Sequence, residues 1–248
     1  MTPVTQSFDY LWQFDNTTLL NYLYGLGIAG FHGGSVLFHL GRPAALHPVT
    51  AASLSAALFT PGWYELTASP DYTDEPVDWG APDYGSAPPR MFPSSGWTWE
   101  GPRRAVEGRL WGGNLEVLTW LLAADLVGPA SLYDGCVFLT ETSEDMPPAI
   151  EVYRMLRNLG ERGLLERFPA ILVSRAKSWD RLNRLAPDAK RAYAEDQRAA
   201  VLRAATEYAP DAVVVFDLDV GHTDPQQILP YGGEVRVDAT AKRISVHY

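Results

Sequence analysis

The chain has only one cysteine, Cys136, in 248 residues. A single cysteine excludes an intramolecular disulfide, and its place in the apolar run GCVFL favours a buried structural thiol over a nucleophile. Positive charge is scarce as well, because 20 Lys and Arg residues stand against 30 Asp and Glu, which gives a formal net charge of -10 at pH 7. Nucleic acids and anionic membranes are bound by clustered Lys and Arg, so this charge argues against both as partners.

Long apolar runs are absent too. No stretch approaches the roughly 20 apolar residues that cross a bilayer, and no basic segment followed by an apolar one opens the chain. We therefore expect a cytoplasmic protein without a membrane partner. Three histidines near the start, His32, His39 and His47, lack the spacing and the carboxylate partners of a metal site. We accordingly expect neither a metal nor a cofactor.

Helical and strand patterns alternate along the chain, which is typical of the α/β class. Apolar residues recur at helical spacing around residues 19 to 26, 51 to 59, 115 to 122, 147 to 159 and 188 to 208. Short runs of β-formers predict strands in IAGFHGG, GCVFLTE, FPAILVS and VVVF, and GEVRVDATAKRISV predicts a small β-hairpin. Gly112 and Gly113, before the third helix, are expected to form a tight turn, because they lack the Lys and spacing of a phosphate loop.

Composition divides the chain into three segments. Residues 61 to 107 are rich in Pro, Gly, Asp and Trp and show no periodic element, so they predict a connector loop that is either a linker or functional. They separate an N-terminal α/β portion, residues 1 to 60, from a compact C-terminal α/β domain with a mixed sheet, residues 108 to 248. Trp79 and Trp97 in the connector can stack on a flat ligand or pack against the domain.

A polar cluster follows the apolar run from Val213 to Phe216. His222 stands there on a glycine turn directly after the predicted strand, where its ring can face a cleft. An unperturbed imidazole takes up and returns a proton near neutrality, so His222 is a candidate general base. The alternative is a loop histidine that is capped by Asp219 or Asp224.

Three blocks of the sequence carry a family resemblance: EGRLWGGNLEVLTWLL, VFLTETSEDMPPAIEVYRMLRNLGERGLL and DLDVGHTDPQQILPYGGEVRVDA. In this order and spacing they resemble the C-terminal domain of the LD-carboxypeptidase family of serine peptidases. The Trp- and Asp-rich middle, YTDEPVDWG and GWTWEG, is more similar to the MccF-like branch, that of the microcin C immunity proteins, than to the peptidoglycan-recycling branch.

The resemblance implies a Ser, Glu, His triad, in which histidine moves the proton and the carboxylate fixes its tautomer and orientation. Glu141, at the end of a predicted strand, matches the glutamate, and His222 matches the histidine. We expect Asn114, Trp79 and Trp97 to contact the ligand, a small peptide or peptidyl nucleotide. The family also implies a homodimer.

Two expectations complete the interpretation of the site. The first is that Glu144, close to Glu141, is a surface or capping acid. The second concerns the nucleophile: the family has a glycine, an aromatic residue, serine and aspartate before its helix, and the aligned stretch WQFD places Phe14 at the serine position. A phenyl ring cannot attack a carbonyl. Ser7, Thr17 and Thr18 are the remaining hydroxyls nearby, of which Ser7 would need a shifted loop.

The resemblance begins near residue 11, so we expect most of the family's N-terminal domain to be absent, including its early strands and an oxyanion-hole glycine. What is left is a partial, flavodoxin-like α/β portion. Three hypotheses follow. The chain is a serine carboxypeptidase that hydrolyses an amide next to a terminal carboxylate, a catalytically inactive binding or interaction homologue, or a truncated form of a longer peptidase.

Overall fold

A computed structural model describes residues 17–34, 39–75, 82, 84–179 and 184–248. In this part of the chain the helices are α1 (Thr17–Gly25), α2 (Pro48–Phe59), α3 (Leu115–Ala123), α4 (Ala149–Glu161) and α5 (Pro187–Tyr208). The first strands are β1 (Gly30–His32), β2 (Trp63–Glu65), β3 (Asp71–Tyr72), β4 (Phe92–Pro93), β5 (Thr98–Glu100) and β6 (Ala105–Asn114). The remaining strands are β7 (Val137–Glu141), β8 (Ala170–Ser174), β9 (Val213–Leu218), β10 (Leu229–Tyr231), β11 (Glu234–Asp238) and β12 (Arg243–His247).

One mixed sheet organises these elements. Its strand order is β2-β12-β11-β6-β7-β8-β9-β5, and β10, itself paired with β1, joins at β6. Neighbours from β6 to β9 run parallel, whereas β5 and β11 are antiparallel to the strands they border. Helices α3 and α4 connect consecutive parallel strands, as the alternating sequence pattern predicts. The α/β class and the closing hairpin of β11 and β12 are therefore confirmed.

The central strands are buried on both faces because their side chains alternate between two apolar layers. In β7, Phe138 packs with α1, α3, α4 and α5 in one cluster, while Val137 and Leu139 belong to the cluster on the opposite face. This explains why the strand reads as a continuous apolar run rather than an alternating one. None of the helices in the described segments is both long and apolar enough to cross a membrane.

The glycine pair before α3 differs from the prediction of a tight turn. Gly112 and Gly113 lie inside β6, with φ angles of 139° and 122°, which L side chains rarely adopt. A Cβ on Gly112 would lie 1.8 Å from the carbonyl oxygen of Leu139 in the neighbouring strand. Gly112 therefore lets β6 approach β7 closely at the edge where the candidate site lies, and Gly113 leaves room for the Thr17 side chain of α1.

The segment from 61 to 107 also differs from the expectation, because it contains regular structure. Strand β2 pairs with β12 and strand β5 pairs with β9, so this segment supplies both ends of the long sheet. Trp99 lies opposite Val215 in that pairing. These strands are only three residues long, which is too short for a periodic pattern to show in the sequence. The three-segment division itself stays a prediction.

Candidate functional site

The candidate site lies at the carboxyl ends of the parallel strands. Glu141 is the last residue of β7, and His222 follows the end of β9 by four positions. Strands β7 and β9 are separated in the sheet by β8 alone. Open α/β sheets place their ligands at this edge, because the loops that follow parallel strands meet there.

The structure brings Glu141 and His222 into direct contact. The distance between His222 Nδ1 and Glu141 Oε2 is 2.6 Å, and the Glu141 carboxylate is buried. Gly221, with φ of 86°, carries the chain past Glu141 so closely that a Cβ there would lie 2.8 Å from the same oxygen. A buried carboxylate on Nδ1 fixes the tautomer and the orientation of an imidazole, as in a catalytic triad. The catalytic role of the pair stays a prediction.

Glu144 is half-exposed, as expected of a surface acid, but it also contacts His222. Its Oε2 lies 3.1 Å from Nε2 of His222, so the imidazole stands between two carboxylates. Glu144 follows Ser143, whose backbone N–H and hydroxyl donate to Glu116 Oε1 at 3.0 and 2.7 Å. Glu116 lies in the first turn of α3, so this helix holds the loop that carries Glu144.

The charges of the site follow from these contacts. Burial alone would lower the pKa of His222, but the attraction and hydrogen bonds of Glu141 and Glu144 raise it well above 6.5. The hydrogen bond with His222 in turn lowers the pKa of Glu144 to about 2. Two carboxylates in contact with the two ring nitrogens thus favour the doubly protonated form of His222.

The other loops at this edge are fixed by a second charged cluster. Lys177 Nζ donates to the carbonyl oxygens of His222 and Asp74 at 3.3 and 3.0 Å. The Asp74 carboxylate, fully buried, accepts from the Ser178 hydroxyl and from Lys190 Nζ, both at 2.7 Å. Burial would raise the pKa of Asp74, but the hydrogen bonds from Lys190 and Ser178 hold it below its usual range. These contacts tie the loops after β3 and β8 to helix α5.

Two of the predicted ligand-contacting residues lie in the described structure. Asn114 is buried, and its side-chain oxygen caps α3 by accepting from the backbone N–H of Val117 at 2.9 Å. Trp97 packs on the sheet, and its indole N–H donates to Asp219 at 3.3 Å. Of the two roles considered for Trp97, the structure shows packing against the domain. Contact of either residue with a ligand stays a prediction.

The remaining residues that the sequence singled out either lie outside the described structure or have a structural role. Trp79, Phe14 and Ser7 lie outside the described residues. His47 caps α2, since its Nδ1 accepts from the Val49 N–H, and its Nε2 lies 3.0 Å from an Asp71 oxygen.

Two acids, Asp74 and Asp219, make contacts in the structure that the sequence did not predict. Asp74 was not singled out, and its partner Lys190 lies 116 positions away, so no local pattern signals the pair. Asp219 was weighed as a cap for His222, but its carboxylate instead accepts from the Ser69 backbone N–H at 2.9 Å. The run DLD, residues 217 to 219, indicated only that polar side chains lie at the carboxyl edge of the sheet.

Comparisons with known proteins agree with this architecture. MccF, the microcin C7 self-immunity protein of Escherichia coli, is 24% identical over 235 residues, which cover 94% of this chain and 63% of that protein. The chain thus spans less than two thirds of the length of this relative. An MccF-like protein from Streptococcus pneumoniae, solved in complex with AMP, has a TM-score of 0.78 at 23% identity, over 95% of this chain and 68% of its own.

A structure of MccF in complex with aspartyl sulfamoyl adenosine has a TM-score of 0.75 at 21% identity, over 95% of this chain and 66% of its own. At these identities the solved structures show a shared fold. The family model of the LD-carboxypeptidase C-terminal domain matches residues 107–237, which is more than half of the chain. The resemblance carried by the three sequence blocks is confirmed, and the chain belongs to the LD-carboxypeptidase family.

Proposed function

We propose that this chain carries the proton-transfer pair of an MccF-like serine carboxypeptidase site and binds a small ligand with an amide next to a terminal carboxylate. The contact of 2.6 Å between His222 Nδ1 and the buried Glu141 carboxylate carries the proposal. In this role Glu141 orients the imidazole from Nδ1, and Nε2 on the other side of the ring exchanges a proton with a reacting group.

The ligand class is a peptide or a peptidyl nucleotide. Two relatives with the same fold support the nucleotide form, because their structures are in complex with AMP and with aspartyl sulfamoyl adenosine. The net charge of -10 makes a long polyanion a poor ligand, but a small ligand with one or two negative groups needs only local positive charge. The His222 ring is a cationic group at the carboxyl edge of the sheet, and Glu141 and Glu144 contact its two nitrogens.

We propose that the chain binds this ligand but does not hydrolyse it with a serine nucleophile. The sequence places Phe14 at the nucleophile position, and covalent catalysis requires a hydroxyl within about 2.6–3.2 Å of the base. Loss of a triad nucleophile leaves only about 10³- to 10⁴-fold acceleration over water from binding and the oxyanion hole.

The proposal includes a cytoplasmic location and a homodimer, both by resemblance to the family. Cytoplasmic location is supported by the single cysteine, Cys136, which is buried and free. Light scattering at several protein concentrations measures the oligomeric state. A monomer at all of them would contradict the homodimer.

The test of the function uses aspartyl sulfamoyl adenosine as the ligand. Calorimetry measures its binding, and chromatography measures release of aspartate, for the unmodified chain and for Phe14→Ser, Ser7→Ala and His222→Ala. We expect binding without turnover by the unmodified chain, turnover gained in Phe14→Ser, and weaker binding in His222→Ala. Absence of binding contradicts the ligand class. Turnover that is lost in Ser7→Ala or His222→Ala overturns the non-hydrolytic form and makes the chain an active serine peptidase.

A further inference from the structure

The Nε2 side of the His222 ring is already occupied by a carboxylate of the chain. Glu144 Oε2 lies 3.1 Å from Nε2, on the opposite side of the ring from Glu141. We propose that His222 Nε2 is a carboxylate-binding subsite, that Glu144 fills it from within the chain, and that a ligand carboxylate binds there by displacing Glu144. The choice of a carboxylate ligand rests on the proposed function.

The geometry of the ring requires a donor at each nitrogen. A carboxylate that is ionised only accepts hydrogen bonds, so contacts of 2.6 and 3.1 Å to two carboxylates place an N–H on both Nδ1 and Nε2 of His222. A ring in this state donates a hydrogen bond to an acceptor at Nε2. The raised pKa of His222 and the lowered pKa of Glu144 agree with this assignment.

The two carboxylates differ in how firmly they are held. Glu141 ends a central strand and its side chain is only 2% exposed, whereas the Glu144 side chain is 46% exposed and lies in the loop between β7 and α4. The backbone before Glu144 is anchored by the two hydrogen bonds from Ser143 to Glu116. Glu144 can therefore turn its side chain into solvent while the loop keeps its place, and Glu141 cannot leave without breaking the core.

The charges around the ring favour an anion once Glu144 has turned away. The imidazolium then contacts one carboxylate, Glu141, instead of two, and its Nε2–H has lost its Glu144 acceptor. His39 adds no charge at neutral pH, since burial lowers its pKa to about 4. A single negative charge, such as the carboxylate of an amino acid, would restore the balance that Glu144 supplies in the structure.

Acetate is the probe for this subsite, because it carries a carboxylate and nothing else of the ligand. NMR titration of His222 in the unmodified chain, in Glu144→Ala and in Glu151→Ala measures the pKa of its ring with and without acetate. Glu151 is a matched control, since it is an exposed acid that pairs with Arg154 on α4. Sodium chloride at the same ionic strength separates binding from charge screening.

We expect Glu144→Ala to lower the pKa of His222 and acetate to raise it again with saturation. The unmodified chain and Glu151→Ala should show neither effect. Glu144→Gln keeps the shape of the side chain but removes its charge, and it should also lower the pKa of His222. A lowered pKa in this variant shows that the lost charge is the cause, rather than a changed conformation of the loop. An unchanged pKa in Glu144→Ala, or a lowered pKa that acetate does not restore, overturns the proposal.

The same variants separate this subsite from the proposed function. If acetate restores the pKa in Glu144→Ala but aspartyl sulfamoyl adenosine binds neither protein, the subsite stands and the proposed ligand class is wrong. If the nucleotide ligand binds both proteins with equal affinity, the ligand class stands and the displacement of Glu144 is wrong. Tighter binding of the nucleotide ligand by Glu144→Ala than by the unmodified chain supports both.

Discussion

Gly221 lies against Glu141 so closely that a Cβ on the glycine would be 2.8 Å from the carboxylate oxygen that binds His222. The Cβ would also lie 3.1 Å from the Ser174 hydroxyl, and φ at this glycine is 86°. The turn that presents His222 and the strand end that presents Glu141 are thus packed with no room for a methyl group. The position of the imidazole depends on this absence of a side chain.

We therefore expect Gly221→Ala to destabilise the protein and to move His222 away from Glu141. Positive φ alone costs an L residue about 1–2 kcal/mol, and the contact with Glu141 adds to this. Gly85→Ala is the matched control, because Gly85 has φ of 84° and no atom of the described residues lies within 4 Å of its ideal Cβ. Urea unfolding measures both variants, and equal losses of stability would show that the contact with Glu141 contributes nothing.

The pH dependence of stability follows from the raised pKa of His222. The attraction of Glu141 and Glu144 outweighs the opposing effect of burial, so the folded pKa lies well above the unfolded value of about 6.5. Such a group contributes stability that is fully present below pH 6.5 and is lost as pH rises through the folded pKa. We expect the free energy of unfolding to fall over this range.

Urea unfolding at a series of pH values from about 6 upward measures this loss. Glu141→Gln removes the stronger partner of the imidazolium, so its stability should change less with pH over the same range. A slope in the variant as steep as in the unmodified chain contradicts the assignment of the loss to the Glu141–His222 pair.

The sequence predicted those parts of the fold and site that have local signals. Val213 to Phe216 reads as a buried strand from its β-formers alone, a glycine turn with a polar run follows it, and the observed strand continues to Leu218. Glu141 was placed at a strand end for the same reason. Parallel strands end at one edge of a sheet, which is why two residues 81 positions apart could be expected to meet.

Features that depend on distant partners could not be predicted in this way. The glycine pair in β6 reads as a turn, because the sequence does not show that Leu139 of the next strand lies against it. Glu144 has the composition of an ordinary loop acid, and only its contact with Nε2 of His222 distinguishes it. Strands β2 and β5 are short edge strands that are defined by their pairing partners rather than by their own residues.

The three-segment division leads to a prediction for limited proteolysis. We propose that residues 108 to 248 form the compact unit, since the buried strands β7, β8 and β9 and helices α3 to α5 all lie in it. Cleavage within 61 to 107 should leave a stable fragment that begins near Glu107. Early cleavage inside 115 to 220 contradicts the boundary.

This fragment should be less stable than the whole chain for a structural reason. Leu20 and Tyr24 of α1 are buried in the same core cluster as Trp111, and their loss would open a cavity beside it. The fragment would also lack β2 and β5, which cover the two ends of the sheet. A lower urea midpoint for the fragment is expected, and an unchanged midpoint would show that α1 and the edge strands add nothing.

The last prediction concerns the ion pair of Asp74 and Lys190, which holds the loop after β3 against α5. The Asp74 side chain has no exposed surface and lies 2.7 Å from Lys190 Nζ, whose side chain is 20% exposed. Lys190→Met keeps the length of the side chain beside the Phe92 and Trp179 rings but leaves the carboxylate buried without its counter-ion. Removal of one partner of a buried pair costs about 3–5 kcal/mol, so we expect a loss of about 3 kcal/mol in urea unfolding.

Arg154→Met is the matched control, because Arg154 pairs with Glu151 across the exposed face of α4, where both side chains are more than 40% exposed. Such a surface pair contributes about 0–1 kcal/mol. Equal losses in the two variants would contradict a buried charge at Asp74. The double variant Lys190→Met with Asp74→Asn should recover part of the loss, since the neutral amide is less costly to bury than an unpaired carboxylate. Because Lys177 joins the Asp74 and His222 carbonyl oxygens, the ring of His222 should also shift its NMR resonance in Lys190→Met and not in Arg154→Met.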